Sequence, residues 1–196
     1  MDDEKQELIN PWLSIWTEPR ATIQQVVDGD TNMMVLILAP LAGIASALTR
    51  NIELAYSGLD NLLGLVLAGC IGGYVFVFLS AYLTRWTGYW LGGTASLVSI
   101  RAAHVFSSIP MITSAVLLLL LWVVLSHLNG PIAGMEIGIR LMIATLGIWS
   151  AVLYCKCLGQ VQGFSAWKGL ANMMLSLTVV VVPILVILVV VAALSS

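Results

Sequence analysis

Long, nearly uncharged apolar runs alternate with short polar segments along most of the chain. Five runs are long enough to cross a bilayer as helices, because about 20 apolar residues span the hydrocarbon and the backbone must satisfy its own hydrogen bonds there. The predicted spans cover residues 33–52, 62–84, 102–126, 137–155 and 173–194. Strands of a membrane barrel are shorter and alternate polar with apolar positions, which these runs do not. The pattern predicts an all-α integral membrane protein, a bundle of five transmembrane helices.

The segment that precedes the first span is amphipathic instead. Its apolar residues share one helical face before Pro19 and another face after it (Trp12, Ile15, Trp16; Ile23, Val26, Val27). Tryptophan is favoured at headgroup depth, so we expect a short bent helix on the cytoplasmic leaflet, with both faces against lipid headgroups. A helix that docks on a protein partner has the same pattern. Residues 1–32 are assigned to this interfacial segment and residues 33–196 to the transmembrane domain.

The composition agrees with a membrane location and excludes one class of partner. Of the 196 residues, 60% are hydrophobic and 9% are charged, and the mean hydropathy is +1.00. This leaves too little polar surface to cover a soluble globule of this size. The net charge is −2, so the chain has no basic field that holds a nucleic-acid backbone. The expected partners are membrane lipids and not nucleic acid.

The distribution of lysine and arginine predicts the orientation, because cytoplasmic loops carry an excess of both. Six of the eight lie on the side of the N-terminus and two on the opposite side (Lys5, Arg20, Arg85, Arg101, Lys156, Lys168; Arg50, Arg140). The N-terminus is therefore expected in the cytoplasm and, after five crossings, the C-terminus outside. On the outer side, Arg50 with Glu53 and Arg140 with Glu136 are expected to pair at each end or in a crossed pair.

Small residues predict which spans touch, since helices in lipid depend on close backbone approach. They recur at four-residue steps in the first two spans (Ala39, Gly43, Ala47; Gly64, Ala68, Gly72, with Gly69 and Gly73 beside them). These two faces are expected to pack together within one chain. A dimer seam or a moving gate is the functional alternative.

The third span contains the main candidate for a polar path. Pro110 follows two serines and lies within two turns of a histidine and an arginine (Arg101, His104, Ser107, Ser108, Pro110). Proline bends a helix and frees a carbonyl one turn back, which serine hydroxyls satisfy. Broken helices with polar residues line substrate paths in transporters. A structural kink without transport is the other interpretation.

Few residues suggest chemistry. Cys155 and Cys157 point different ways on a helix, and neither His104 nor His127 adds metal-ligand spacing. The chain also lacks a nucleophile motif, a phosphate-binding glycine loop, a dinucleotide turn and paired carboxylates within a span. We therefore expect no catalytic residue, no metal, no cofactor and no enzymatic activity.

Four sequence strings carry a family resemblance. They are "NPWLSIWTEPRATIQQVVD" at 10–28, "RWTGYWLGG" at 85–93, "RAAHVFSSIP" at 101–110 and "VQGFSAWKGL" at 161–170. In this order they resemble the prokaryotic branch of the Yip-one, or Ypt-interacting protein, domain family. The resemblance implies five spans, a cytoplasmic N-terminus and a prokaryotic plasma (inner) membrane.

The resemblance also implies a role, because the eukaryotic members are adaptors that bind prenylated Rab-type GTPases in vesicle trafficking. Two departures separate this chain from them. Only about thirty residues precede the first span, without the Asp-Leu-Tyr-Gly-Pro type motif, and "VFSSIP" at 105–110 stands where they have Gly-Tyr-Ser-Leu-x-Pro. GTPase binding is therefore not carried over to this chain.

All four strings lie on the predicted cytoplasmic side, which suggests a cytoplasmic cap built from the N-terminal helix and the loops at 85–101 and 156–172. Its cations are expected to contact lipid phosphate or an acidic partner, its rings to set the depth, and its glycines to permit tight turns. Its candidate residues are Trp12, Trp16, Pro19, Arg20, Arg85, Trp86, Gly88, Tyr89, Trp90, Gly92, Gly93, Gly163, Phe164, Trp167 and Lys168.

Two functions from different classes remain. The first is a non-enzymatic membrane-organising or adaptor protein whose cap binds lipid headgroups or a protein partner. The second is a small transporter or channel along the kinked third span, as a homo-oligomer because five helices leave little room for a pore within one chain. For the cap itself, a mere interfacial anchor is the plain alternative.

Overall fold

The structure is a computed structural model that describes residues 10–29, 31–53, 58–128 and 135–195. Within these ranges the chain forms helices and turns and has no strand. In chain order the helices are α1 (Pro11–Ser14), α2 (Pro19–Asp28), α3 (Asn32–Arg50), α4 (Leu59–Trp90), α5 (Leu97–Ser107), α6 (Ile109–Leu128), α7 (Glu136–Gln162) and α8 (Ala166–Ser195).

Five helical segments of the described residues are long and apolar enough to cross a membrane, which confirms the predicted number of spans. They are α3, α4, the α5–α6 pair over Leu97–Val124, α7 and α8. The helices extend further than the apolar runs, since α4 continues to Trp90 and α7 to Gln162. The predicted loops at 85–101 and 156–172 are therefore wrong and shorten to residues 91–96 and 163–165. Hydropathy marks where the hydrocarbon ends, and a helix is free to continue beyond it.

The third span is broken at Ser108, between α5 and α6, as the serines and Pro110 predicted. The Ser108 amide bonds to the carbonyl of Val105 at 3.2 Å, so the carbonyl of His104 loses its usual amide partner. The hydroxyls of Ser107 and Ser108 donate to that carbonyl at 2.8 and 2.9 Å. The two serines therefore satisfy the carbonyl of His104 and not that of Phe106, the carbonyl one turn before Pro110.

Helices α3 and α4 pack through their small residues, as predicted. A Cβ on Gly43 would overlap the carbonyl of Gly69, and one on Gly73 would overlap the carbonyl of Ala39. These glycines therefore serve packing within one chain. Gly64 and Gly72, in contrast, have open space where a Cβ would stand.

The N-terminal helices pack on the bundle through the apolar faces that were expected to contact lipid. Ile15 and Ile23 are fully buried in the same apolar cluster as Phe106 and Leu153. The thiol of Cys157 lies 3.6 Å from the carbonyl oxygen of Pro19 and donates to it. The lipid-facing expectation is therefore wrong for most of these residues, because an amphipathic period is the same whether lipid or protein covers the face.

The end of the bundle opposite to α1 and α2 carries a crossed ion pair, one of the two arrangements expected there. Arg140 Nη2 lies 3.6 Å from Glu53 Oε1, and both side chains are mostly exposed (65% and 91%). An exposed pair of this kind contributes at most about 1 kcal/mol to stability. It is a surface contact and not a candidate site.

Candidate functional site

We call the end of the bundle that carries α1 and α2 the cap face. It also holds the last turns of α4 and α7, the first turns of α5 and α8, and the segments 91–96 and 163–165. Contacts join these parts: the amide of Gln160 donates to Gln24 on α2 at 3.3 Å, and the space beside Gly93 is occupied by Gln162 and Phe164. The predicted cap residues therefore lie on connected elements at one end of the molecule.

A buried polar cluster fixes the base of the cap face. Asn172, fully buried in α8, donates to the carbonyl of Thr84 at 3.2 Å and accepts from the Thr87 hydroxyl at 2.6 Å. Gln162, at the end of α7, accepts from the amide of Ala95 at 3.2 Å and donates to the Thr84 carbonyl at 3.5 Å. The cluster thus ties α4, α7, α8 and the segment 91–96 together.

Sequence reasoning missed this cluster. Asn172 is an uncharged polar residue near the start of a strongly apolar run, and Gln162 precedes a glycine at a helix end. An amide inside such a run requires a hydrogen-bond partner when it is buried, and this requirement is the signal that flags both residues. The partners of Asn172, Thr87 and Thr84, lie 85 and 88 residues away in sequence.

The predicted glycines have two different structural roles. Gly92 has a φ of +85° and Gly163 a φ of +76°, a region that other residues rarely adopt, and each follows a helix end. A Cβ on Gly88 or Gly93 would instead overlap the side chain of Gln162. The glycines of this region are therefore explained by chain reversal and by the buried amide.

The surface of the cap face is aromatic and cationic. Trp86 and Trp90 are 53% exposed with ring centroids 4.7 Å apart, and Tyr89 and Trp167 are 77% and 80% exposed. Arg20, Arg85 and Lys168 are exposed as well, and none forms an ion pair within the described ranges. Large rings and unpaired cations on one surface are the groups that interact with lipid headgroups.

Of the four remaining predicted cap residues, three pack inside the protein and one stays on the surface. Pro19 is buried, and Trp16 is half-buried against the apolar cluster that contains Ile15. Phe164 is half-buried and its ring lies beside Gly93. Trp12 remains on the surface, 47% exposed. The predicted set thus divides into an exposed group and a supporting group.

The side chains of the five predicted path residues do not all face one space. The guanidinium carbon of Arg101 lies 4.1 Å from the ring centroid of Phe78. The ring of His104 lies edge-on between Phe76 and Tyr154, at 5.1 and 4.9 Å, and its Nδ1 is buried without a hydrogen-bond partner. Ser107 and Pro110 are buried.

A cavity of about 530 Å³ includes part of that path. It extends from Arg50 and Asn51 at one end of α3 to His104 and Ser108 in the middle of the third span. Ser150 also lines it, and its hydroxyl is buried without a partner. This volume lies within the range of about 300–1,000 Å³ typical of small-molecule sites. Of the five path residues, only His104 and Ser108 line it.

The structure gives no indication of a metal centre in the part of the chain that it describes, where no group of three or more histidine, cysteine or carboxylate side chains converges.

Comparison with known proteins gives one match. A family model described as the Yip1 domain matches residues 13–192, nearly the whole chain. No curated protein and no solved structure matches the chain.

Proposed function

The chain belongs to the Yip1 domain family and is an integral membrane protein, and from that premise we propose that it is a non-enzymatic membrane-organising or adaptor protein whose cap face binds lipid headgroups or a protein partner. The observation that carries the proposal is the set of exposed rings and unpaired cations on the cap face. Trp86 and Trp90 contact each other, and all of these side chains remain exposed.

The supporting structure favours a binding surface over a simple anchor. Trp86, Tyr89 and Trp90 lie on the last turns of α4, and the buried amides of Gln162 and Asn172 hold that helix end against α7 and α8. A surface on a fixed helix end loses little conformational freedom when it binds.

Lipid headgroups are the favoured ligand. Tryptophan and tyrosine concentrate at the membrane–water interface, where their rings contact both acyl chains and water. Each lysine or arginine near an anionic leaflet contributes about 1 kcal/mol of attraction. Arg85 and Lys168 lie directly beside exposed rings in the sequence. A protein partner is the alternative outcome of the test.

The proposal includes an orientation. The cap face is expected on the cytoplasmic side of a prokaryotic inner membrane, with the N-terminus inside and the C-terminus outside. Cysteine placed at Gly92 or Trp90 should react with membrane-impermeant reagents only after the cytoplasmic side is opened. Labelling from the outer side of intact cells would refute the orientation and the cytoplasmic cap with it.

The test of the function is photo-crosslinking in native membranes. A photoreactive amino acid replaces Trp86, and the matched control replaces Ile137, which is 74% exposed at the opposite end of the bundle. Anionic lipid, or a single recurring protein, captured at residue 86 and not at residue 137 supports the proposal. Equal capture at both positions, or capture of only a second copy of the chain, contradicts it.

A second candidate function, a small transporter or channel, is favoured by the cavity that ends at His104 and Ser108. A path through the membrane then requires Phe76 and Tyr154 to move, because their rings flank His104. Proteoliposomes loaded with a pH-sensitive dye test for proton flux. Flux above that of empty liposomes, lost in His104→Ala, supports this candidate, and flux equal to that of empty liposomes removes proton transport from consideration.

A further inference from the structure

We infer that Arg101 and Arg85 bind the phosphate of an anionic phospholipid at the cap end of the α4–α5 face, with Tyr82 between them. This inference rests on the proposed lipid binding of the cap face and names its ligand and its site. It also moves Arg101 from the polar path to the lipid-binding surface.

Arg101 is held in place by rings. Its guanidinium carbon lies 4.1 Å from the centroid of Phe78 and 5.8 Å from that of Tyr82, both on α4. Stacking of this kind fixes the plane of the guanidinium and leaves its N–H edges free to donate. The guanidinium of Arg101 is therefore held in position while its N–H groups can still donate hydrogen bonds.

Arg101 makes no hydrogen bond to any residue that the structure describes. Its Nε is buried without a partner, and the side chain forms no ion pair within the described ranges. A guanidinium carries five donors and remains charged at membrane depth, where an unpaired charge is costly. Among the described residues, no carboxylate pairs with Arg101. Arg101 lies one turn into α5, close enough to the helix start to reach the interface.

Arg85 supplies the second cation. Phe78, Tyr82 and Arg85 are spaced by four and three residues on α4, so they share one helix face. Tyr82 is 56% exposed, and Arg85 is exposed with no partner in the described part of the chain. The ring of Tyr82 thus shares a helix face with Arg85 and lies 5.8 Å from the guanidinium carbon of Arg101.

A phospholipid phosphate fits these groups better than other anions. Its oxygens accept two parallel N–H bonds from a guanidinium, and its acyl chains cover the apolar side of an exposed face. On α4, the exposed residues that precede this site, farther from the cap end, are large and apolar, among them Val75 and Leu79 at 58% exposure each. A soluble phosphate ion gains nothing from that surface.

The test uses the full chain, purified and delipidated in mild detergent. Phosphatidylglycerol and phosphatidylcholine with identical acyl chains are titrated separately, and bound lipids are counted by native mass spectrometry. The wild type is expected to prefer phosphatidylglycerol. Arg101→Gln is expected to weaken phosphatidylglycerol binding about tenfold, equivalent to about 1.4 kcal/mol, while Arg101→Lys, which keeps the charge but not the two parallel bonds, retains part of the affinity.

Two control variants locate the effect. Arg140→Gln removes a cation at the opposite end and should leave phosphatidylglycerol binding unchanged, whereas Arg85→Gln should weaken it. Because Arg85 is exposed, its substitution keeps the test decisive even where Arg101→Gln fails to fold.

Several results would overturn the site. The first is that Arg101→Gln and Arg85→Gln both bind phosphatidylglycerol with wild-type affinity. The second is that the wild type binds the two lipids equally well. The third is that inorganic phosphate competes with phosphatidylglycerol and binds with equal affinity. If the two arginine variants bind normally but residue 86 still captures anionic lipid, the site is wrong and the proposed function stands. If neither anionic lipid nor a single recurring protein is captured at residue 86, the proposed function fails as well.

Discussion

Replacement of Asn172 by alanine tests whether buried amides hold the cap face together. The side chain lies in α8 and is fully buried. Its amide donates to the Thr84 carbonyl at 3.2 Å, and its oxygen accepts from the Thr87 hydroxyl at 2.6 Å. Asn172→Ala removes both of its own bonds to α4 and adds no bulk, while the contact between the Thr87 and Ser176 hydroxyls at 2.6 Å remains.

The expected loss of stability follows from these two bonds. Interhelical hydrogen bonds in membrane proteins contribute about 0.6 kcal/mol on average and up to about 1.7 kcal/mol each. The groups left behind keep other partners, because Thr87 donates to the carbonyl of Leu83 at 2.9 Å and the Thr84 carbonyl accepts from Gln162. The free energy of unfolding should therefore fall by about 1–3 kcal/mol and not by the full cost of two orphaned groups.

The assay is equilibrium unfolding of the purified protein in mild detergent, followed by near-ultraviolet circular dichroism of the tryptophans. Thr178→Ala is the matched control, since Thr178 is exposed and, among the described residues, its hydroxyl bonds to Met174 of its own helix alone, at 2.9 Å. A decrease below about 0.5 kcal/mol for Asn172→Ala, or an equal decrease in the control, would refute the role of the amide cluster.

Three further substitutions follow from the packing. Gly93→Ala should lower the free energy of unfolding by about 1–3 kcal/mol, because the new methyl overlaps a buried amide side chain. Gly64→Ala, inside α4 and in open space, should not lower it and should raise it by up to about 1 kcal/mol in the same unfolding assay. Ile23→Ala, at a fully buried site on α2, should cost about 2–5 kcal/mol and expose the N-terminal helices to limited proteolysis. Glu53→Gln breaks the exposed pair with Arg140 and should change the free energy of unfolding by less than about 1 kcal/mol.

The spans were predictable because lipid imposes a direct rule on composition. A run without charge and of sufficient length must be helical in hydrocarbon, and the five runs are helical. The pairing of α3 with α4 was also predictable, since Gly43, Gly69 and Gly73 permit a backbone approach that larger residues prevent.

Other features depend on contacts that one sequence does not contain. The helix at residues 85–90 lies beyond the apolar run, so hydropathy gave no reason to extend α4 to Trp90. The sequence predicts the apolar face of α2, but the same pattern suits a face that contacts lipid and a face that packs on protein. In the structure this face packs in one cluster with Phe106 and Leu153. The partners of Asn172 are likewise set by tertiary packing.

The most direct test of the central claim is to identify what is captured at residue 86 in native membranes, with and without Arg85→Gln. The account predicts anionic lipid, or one recurring protein, captured at residue 86 of the otherwise unchanged chain and captured less in the presence of Arg85→Gln. Capture that is indifferent to the charge at residue 85 and equal to that at residue 137 would contradict a binding function for the cap face.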